Sequence, residues 1–178
     1  MFTRKPLFAA VALAATFGAG VAFAESPGLG KPISEADIKA WDISVLPDGT
    51  NLPTGLNGTV AAGTKLYVEK GCIACHGPEG HGGSNVPLFN PAKIDRIEAA
   101  KSIANFWAQA TTVFDTIRRS MPWIQPRSLS DQEVYDLTAY VLFLNKLIDE
   151  KDVVNSETLP KVKMPNAGNF ITRFPDKI

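Results

Sequence analysis

"KGCIACHGPEGHGG", Lys70 to Gly83, holds both cysteines and both histidines of a 178-residue chain. Cys72, Cys75 and His76 fall within five positions, and His81 follows in a glycine-rich continuation. Two nearby cysteines mean different things inside and outside the cell, so the compartment has to be read first.

The N-terminus supplies it. Residues 1–24, "MFTRKPLFAAVALAATFGAGVAFA", begin with positive charge at Arg4 and Lys5. An apolar run broken by Gly18 and Gly20 follows, then small residues at Ala22 and Ala24. This pattern predicts a secretory signal cleaved after Ala24. The competing reading, a membrane-spanning helix, needs about 20 apolar residues and a charged stop, and neither is present. No later segment is apolar enough to span a bilayer, so the expected location is a bacterial-type periplasm. Removing 24 of 178 residues leaves 154, one ordinary domain with chain to spare. The 18 basic residues balance 18 acidic ones, and losing two bases with the signal leaves a mature charge near −2. That balance argues against nucleic acid as a partner. A composition 45% hydrophobic can build a core without disulfide staples.

Four readings of Cys72 and Cys75 compete. A thioredoxin-like pair needs a βαβ context, which is missing around "VAAGTKLYVEKGCIACHG". A zinc site would crowd Cys72, Cys75, His76 and His81 into ten residues, without the usual separated second pair. A disulfide across two intervening residues is strained and leaves the adjacent histidine unexplained. C-x-x-C-H as a haem c attachment site uses every residue it contains. Two thiols one helical turn apart reach the two vinyl groups on one edge of a porphyrin. The next residue, His76, then falls beneath the ring as an iron ligand.

The sixth ligand decides the class of function, because one protein ligand leaves an open site and two make an electron carrier. His81 is five residues from His76, too near along the chain to reach the opposite face. Met1 leaves with the signal. Met121 and Met164 remain. Met121 follows a helical stretch from about Thr112 to Arg119 and precedes Pro122, which stops the helix and pushes Met121 to an extended conformation aimed inward. Its alternative role is a core gap-filler. Met164, in "KVKMPNAGNF", repeats the Met-Pro pair beyond the last strong helix and is the second candidate, or a packing residue of the tail.

Around this site the helices can be placed coarsely. "VAAGTKLYVEK" predicts a helix running into the motif, with Gly63 and Tyr67 one turn apart and suited to a close helix crossing. "ANFWAQATTVFDTIRRS" supplies one or two helices whose aromatics could wall the ring. In "LSDQEVYDLTAYVLFLNKLI", Ser130 and Glu133 predict a capping box, and Val134, Leu137, Val141, Leu144 and Ile148 recur at helical spacing. No run of alternating strand residues is expected. The glycines of "GPEGHGGSNVPLFNPAKID" would let backbone pass close to the porphyrin. Pro87, eleven residues after His76, is the candidate for the carbonyl that holds the free ring N–H of the ligating histidine. Arg118 and Arg119 read equally as helix-dipole partners, as partners of haem propionates, or as contacts to an acidic protein surface.

In combination, Cys72-Ile73-Ala74-Cys75-His76 near the first helix, Pro87, Met121 before the C-terminal helix and Tyr140 on that helix resemble the class I c-type cytochromes. The resemblance implies an all-α class I cytochrome c fold with extended N- and C-terminal segments, one covalent haem c, and crossed terminal helices. The expected organisation is a signal at 1–24, an N-terminal extension at 25–58, a haem domain at 59–148 and a tail at 149–178. A narrower likeness, in "AWDISVLPDGTNLPTGLNGTV", "ANFWAQATTVFDTIRRSMPW", "LSDQEVYDLTAYVLFLN" and "LPKVKMPNAGNF", is to the cytochrome subunit of sulfite and sulfur dehydrogenases of Sox-type sulfur oxidation. One departure is that the well-known sulfur dehydrogenase subunit carries two haems, whereas this chain has a single C-x-x-C-H. The likeness implies a non-catalytic subunit taking electrons from a molybdenum-cofactor sulfite or sulfur dehydrogenase and passing them to a downstream cytochrome c or oxidase. The alternatives are a general periplasmic shuttle for another dehydrogenase, a haem sensor or peroxidase with a labile sixth ligand, and a thiol oxidoreductase using free cysteines. The flanking segments are expected to pack as coil across the haem domain, with Trp41 as a possible docking anchor.

Overall fold

The computed structural model of the chain describes residues 28–90 and 98–170. The expected signal at 1–24 lies outside the described residues. Tertiary contacts divide the chain after Asp37. On the N-terminal side, residues 28–37 are exposed, and Ser34 and Asp37 cap each other, with Asp37 Oδ2 accepting from Ser34 N (3.0 Å) and Ser34 Oγ (2.6 Å). They start the first helix, α1 (Glu35–Trp41).

The larger unit is built on two crossing helices, α2 (Val60–Glu69) and α6 (Asp131–Leu144). Between them in sequence lie α3 (Cys72–His76), α4 (Ile103–Phe106) and α5 (Thr111–Ser120). Helix α2 starts at Thr59, whose hydroxyl accepts from Ala62 N, and buries Val60, Gly63 and Tyr67, residues three and four apart on one face. Helix α6 begins with the expected capping box: Ser130 Oγ accepts from Glu133 N, and Glu133 Oε2 accepts from Ser130 N at 2.8 Å. The predicted apolar stripe of α6 widens in the fold, because every residue from Val134 to Leu142 is buried. This helix is central and packs against α2, α5 and the strand pair on different sides. It stops at Leu144, so Ile148 belongs to the following chain and only half-buries against the core.

Gly63 makes the crossing possible. A Cβ there would overlap the backbone carbonyl of Asp136 and meet the Tyr140 Cβ at 2.8 Å, so only hydrogen lets the two helices approach this closely. One turn on, Tyr67 and Tyr140 pack with ring centroids 5.1 Å apart.

A short antiparallel pair that the sequence reading did not expect joins β1 (Gly58–Thr59) to β2 (Val153–Val154) in the register Gly58↔Val154, Thr59↔Val153. Both flanks of the haem domain thereby enter the core: Val45 and Leu52 from the N-terminal side, Val154, Leu159 and Met164 from the tail. Tyr135 Oη donates to Pro53 O at 2.8 Å, and Gln132 Nε2 to Asn57 O at 2.8 Å, which ties the N-terminal segment to α6. Burial pushes the Tyr135 hydroxyl up to about 12, so it stays a donor at ordinary pH. Among the described residues, no helix is long and apolar enough to cross a membrane.

Candidate haem-attachment site

Helix α3 is a single turn bounded by two glycines with positive φ, Gly71 at 76° and Gly77 at 81°. Between them Cys72 and Cys75 are one turn apart on the same short helix, with His76 as its last residue. Neither cysteine forms a disulfide. Burial pushes the Cys72 thiol up, the opposite of what a nucleophilic redox cysteine needs. Among the described residues, which include Cys72, Cys75, His76 and His81, no group of three or more such side chains gathers to hold a metal ion.

The chain after His76 folds back on its own stem. Asn85 N donates to Cys75 O at 2.9 Å, and Leu88 N to Gly80 O at 2.6 Å. A Cβ at Gly77 would overlap the His81 carbonyl, and one at Gly83 the Cys75 carbonyl. These glycines thus serve a close approach between loop and stem.

This return brings a carbonyl to His76, but not the expected one. His76 Nδ1 lies 2.9 Å from Val86 O, one residue ahead of Pro87. Pro87 acts on its predecessor instead: a residue before proline is confined to extended backbone, which fixes where the Val86 carbonyl points. With Nδ1–H donated to that oxygen, Nε2 carries the lone pair available to a metal. His81 stays in the exposed loop, 3.7 Å from Glu79 and tilted against Phe89.

Met121 caps the C-terminus of α5 with φ −114° and ψ 148°, the extended conformation expected before Pro122, and is half-buried. Met164 is 5% exposed within the core cluster. Leu88, Trp107, Ile117 and Leu129 are partly buried hydrophobics packed against the core. The cysteine pair one turn apart on α3 and a histidine with its outer nitrogen fixed by a backbone carbonyl fit a covalently held haem.

Arg118 and Arg119, left open by the sequence, are committed within the protein. Arg118 makes a two-pronged contact with Asp131, at 2.8 and 3.1 Å, and donates to Ile43 O at 3.0 Å. Arg119 pairs with Asp115, whose Oδ1 also accepts from Val45 N. Reasoning from sequence missed Val86, whose one signal is its place before proline. It also missed the Tyr67 hydroxyl, which donates to Gly77 O at 2.8 Å.

Residues 60–145 match the family described as cytochrome c. Among solved structures, the chain is similar to one described as the crystal structure of the sulfane dehydrogenase SoxCD from Paracoccus pantotrophus. That match has 33% identity and a TM-score of 0.73, and covers 85% of this chain and 73% of that one. No curated protein matches significantly. The family implies covalently bound haem c, and Cys72 and Cys75 lie in its C-x-x-C-H signature.

Proposed function

We propose, from the premise that this chain belongs to the cytochrome c family and has its class I all-α fold, a periplasmic carrier that takes electrons one at a time from a molybdenum-dependent dehydrogenase of sulfur compounds. The electrons pass on to a downstream cytochrome c or oxidase of the respiratory chain. The observation that carries the sulfur assignment is the likeness to the sulfane dehydrogenase structure, which runs over 85% of this chain and so extends into flanks that haem binding does not require. Sulfite is the first substrate assigned to the donor enzyme, with sulfane sulfur second. The periplasmic location rests on residues 1–24, read as a signal cleaved after Ala24.

In this reading Cys72 and Cys75 would hold haem c covalently, and His76 Nε2 and Met121 Sδ would hold its iron. The bound group supplies reversible one-electron chemistry at iron. Val86 O holds the His76 ring and raises its basicity. Met121 is favoured over Met164 because it leaves α5 in extended backbone and is half-buried, whereas Met164 is spent on the core. Two protein ligands would close the iron to substrate, as a carrier requires and a sensor or peroxidase does not.

The test uses the tagged chain isolated gently from its native periplasm, with the visible spectrum recorded before and after sulfite and, separately, a sulfane donor. Appearance of the reduced-haem bands with a co-purified molybdenum subunit is the expected result. A haem that stays oxidised with both additions while its partner is retained would overturn the sulfur assignment and leave a general electron shuttle.

A further inference from the structure

Gly77 follows His76 and ends α3, its N–H bonded to Ile73 O at 2.9 Å. Its backbone, φ 81° and ψ 171°, is one that side-chain-bearing residues rarely adopt. The Gly77 carbonyl accepts from the Tyr67 hydroxyl, which arrives from the last turn of α2 at 2.8 Å. Tyr67 is 1% exposed, wedged against Tyr140 at the α2–α6 crossing. Its ring therefore cannot follow a moving loop without opening the helix crossing. Burial also pushes its hydroxyl well above the ordinary tyrosine range, so the proton it donates is always present. At the far end of the same loop, Asn145 Nδ2, at the C-cap of α6, donates to Leu88 O at 2.9 Å, two residues past the carbonyl that holds His76.

We infer that Tyr67 is a positioning residue for His76: from the rigid helix crossing it fixes the residue next to the ligand, so that Nδ1–H stays aligned on Val86 O, with Asn145 holding the other end of the loop. This inference rests on His76 being the iron ligand proposed above. A merely structural tyrosine would contribute ring packing, which phenylalanine reproduces. The hydroxyl contributes orientation, which phenylalanine does not. Because the Nδ1–H···O=C bond makes imidazole the more basic ligand and so favours Fe(III), loosening it raises the reduction potential.

The test is Tyr67→Phe in the full-length haem-loaded protein, read by potentiometric titration and by the ferric EPR g values, which report the orientation of the histidine plane. The expected result is an upward shift of the midpoint potential together with altered g values. Asn145→Ala should move both in the same sense from the other end of the loop. Tyr140→Phe, whose hydroxyl reaches no loop carbonyl among the described residues, should move neither. A Tyr67→Phe protein with lowered melting temperature but unchanged potential and g values would overturn the inference, leaving Tyr67 a packing residue. An unmodified ferric protein without histidine-ligated low-spin iron would overturn the ligand reading, and this inference with it.

Discussion

Met121 and Met164 share a Met-Pro sequence and part company in the fold, and the difference predicts what each substitution does. Met164 is buried among apolar side chains, so Met164→Ala should cost about 2–5 kcal/mol in urea unfolding and leave the haem spectrum unchanged. Met121→Ala should do the reverse: a smaller loss of stability, a ferric spectrum turned high-spin, and ready binding of carbon monoxide by the reduced protein. If carbon monoxide binds the unmodified protein equally well, Met121 is not the ligand and the sensor reading returns. Residues bearing distinctive chemistry were legible in the sequence, because C-x-x-C-H states its own spacing and a methionine before proline announces its backbone. The contacts of His76 and Tyr67 were not. Each ends on a backbone carbonyl, at Val86 and Gly77 respectively, and a carbonyl belongs to every residue alike. Proline drew attention to position 87, whereas its steric effect falls on the residue before it.

Helices α2 and α6 could be read because their signals are local: the Gly63–Tyr67 pair one turn apart, the capping box at Ser130 and Glu133, and apolar residues at helical spacing. Gly63 carried the crossing as well, being a small residue one turn before a large one. Gly63→Val should therefore cost about 3 kcal/mol, the upper end of overpacking, since its side chain would meet the Asp136 backbone, which cannot swing aside. A urea midpoint unchanged by this substitution would mean the crossing is looser than the structure shows. The β1–β2 pair escaped notice because two residues per strand are too few to show alternation. The same two helices are linked by an ion pair, Lys70 Nζ to Glu133 Oε1 at 2.6 Å. That contact, with the Ser130 hydrogen bonds, holds the Glu133 carboxyl below its ordinary 4.5. A carboxylate whose folded pKa is lowered contributes stability that is fully present above the unfolded value and lost as pH falls through the folded one. The pair is solvent-screened and worth under about 1 kcal/mol. Glu133→Gln should thus lower the melting temperature slightly at neutral pH and flatten its fall below about pH 4.5. Parallel melting curves across the acid limb would show that the pair contributes nothing.

At the scale of the molecule from Ile38 onward, the flanks are part of the haem domain's core, and Arg118 is the clasp. It joins the end of α5 to Asp131 at the start of α6 and to Ile43 O in the N-terminal segment. Arg118→Ala should cost about 1.5–3 kcal/mol and expose the segment around Ile43–Val45 to limited proteolysis. Arg118→Lys should not rescue it, because a point charge does not reproduce the two-pronged contact. The composition of the flanks hinted at coil, but no periodicity marked Val45, Leu52 or Leu159 as core, so their burial is a tertiary fact. Commitment of the arginines also bears on docking. Arg118 and Arg119 are paired, and Arg127 donates to Ala40 O at 2.7 Å while lying 5.1 Å over the ring of Trp41. Next to Met121, by contrast, Trp123 and Ile124 stand 78% and 93% exposed. If the redox partner is met through this apolar tip beside the proposed ligand, Trp123→Ala should lower the rate of electron transfer from the dehydrogenase about tenfold or more, as for an aromatic hot spot. The potential should be unchanged, and because charge does not drive the contact, the loss should persist as salt is raised. Stopped-flow reduction at low and high ionic strength measures this directly. A wild-type rate for the variant, or a reaction that salt abolishes in the unmodified protein, would move the docking face to a charged surface elsewhere on the chain.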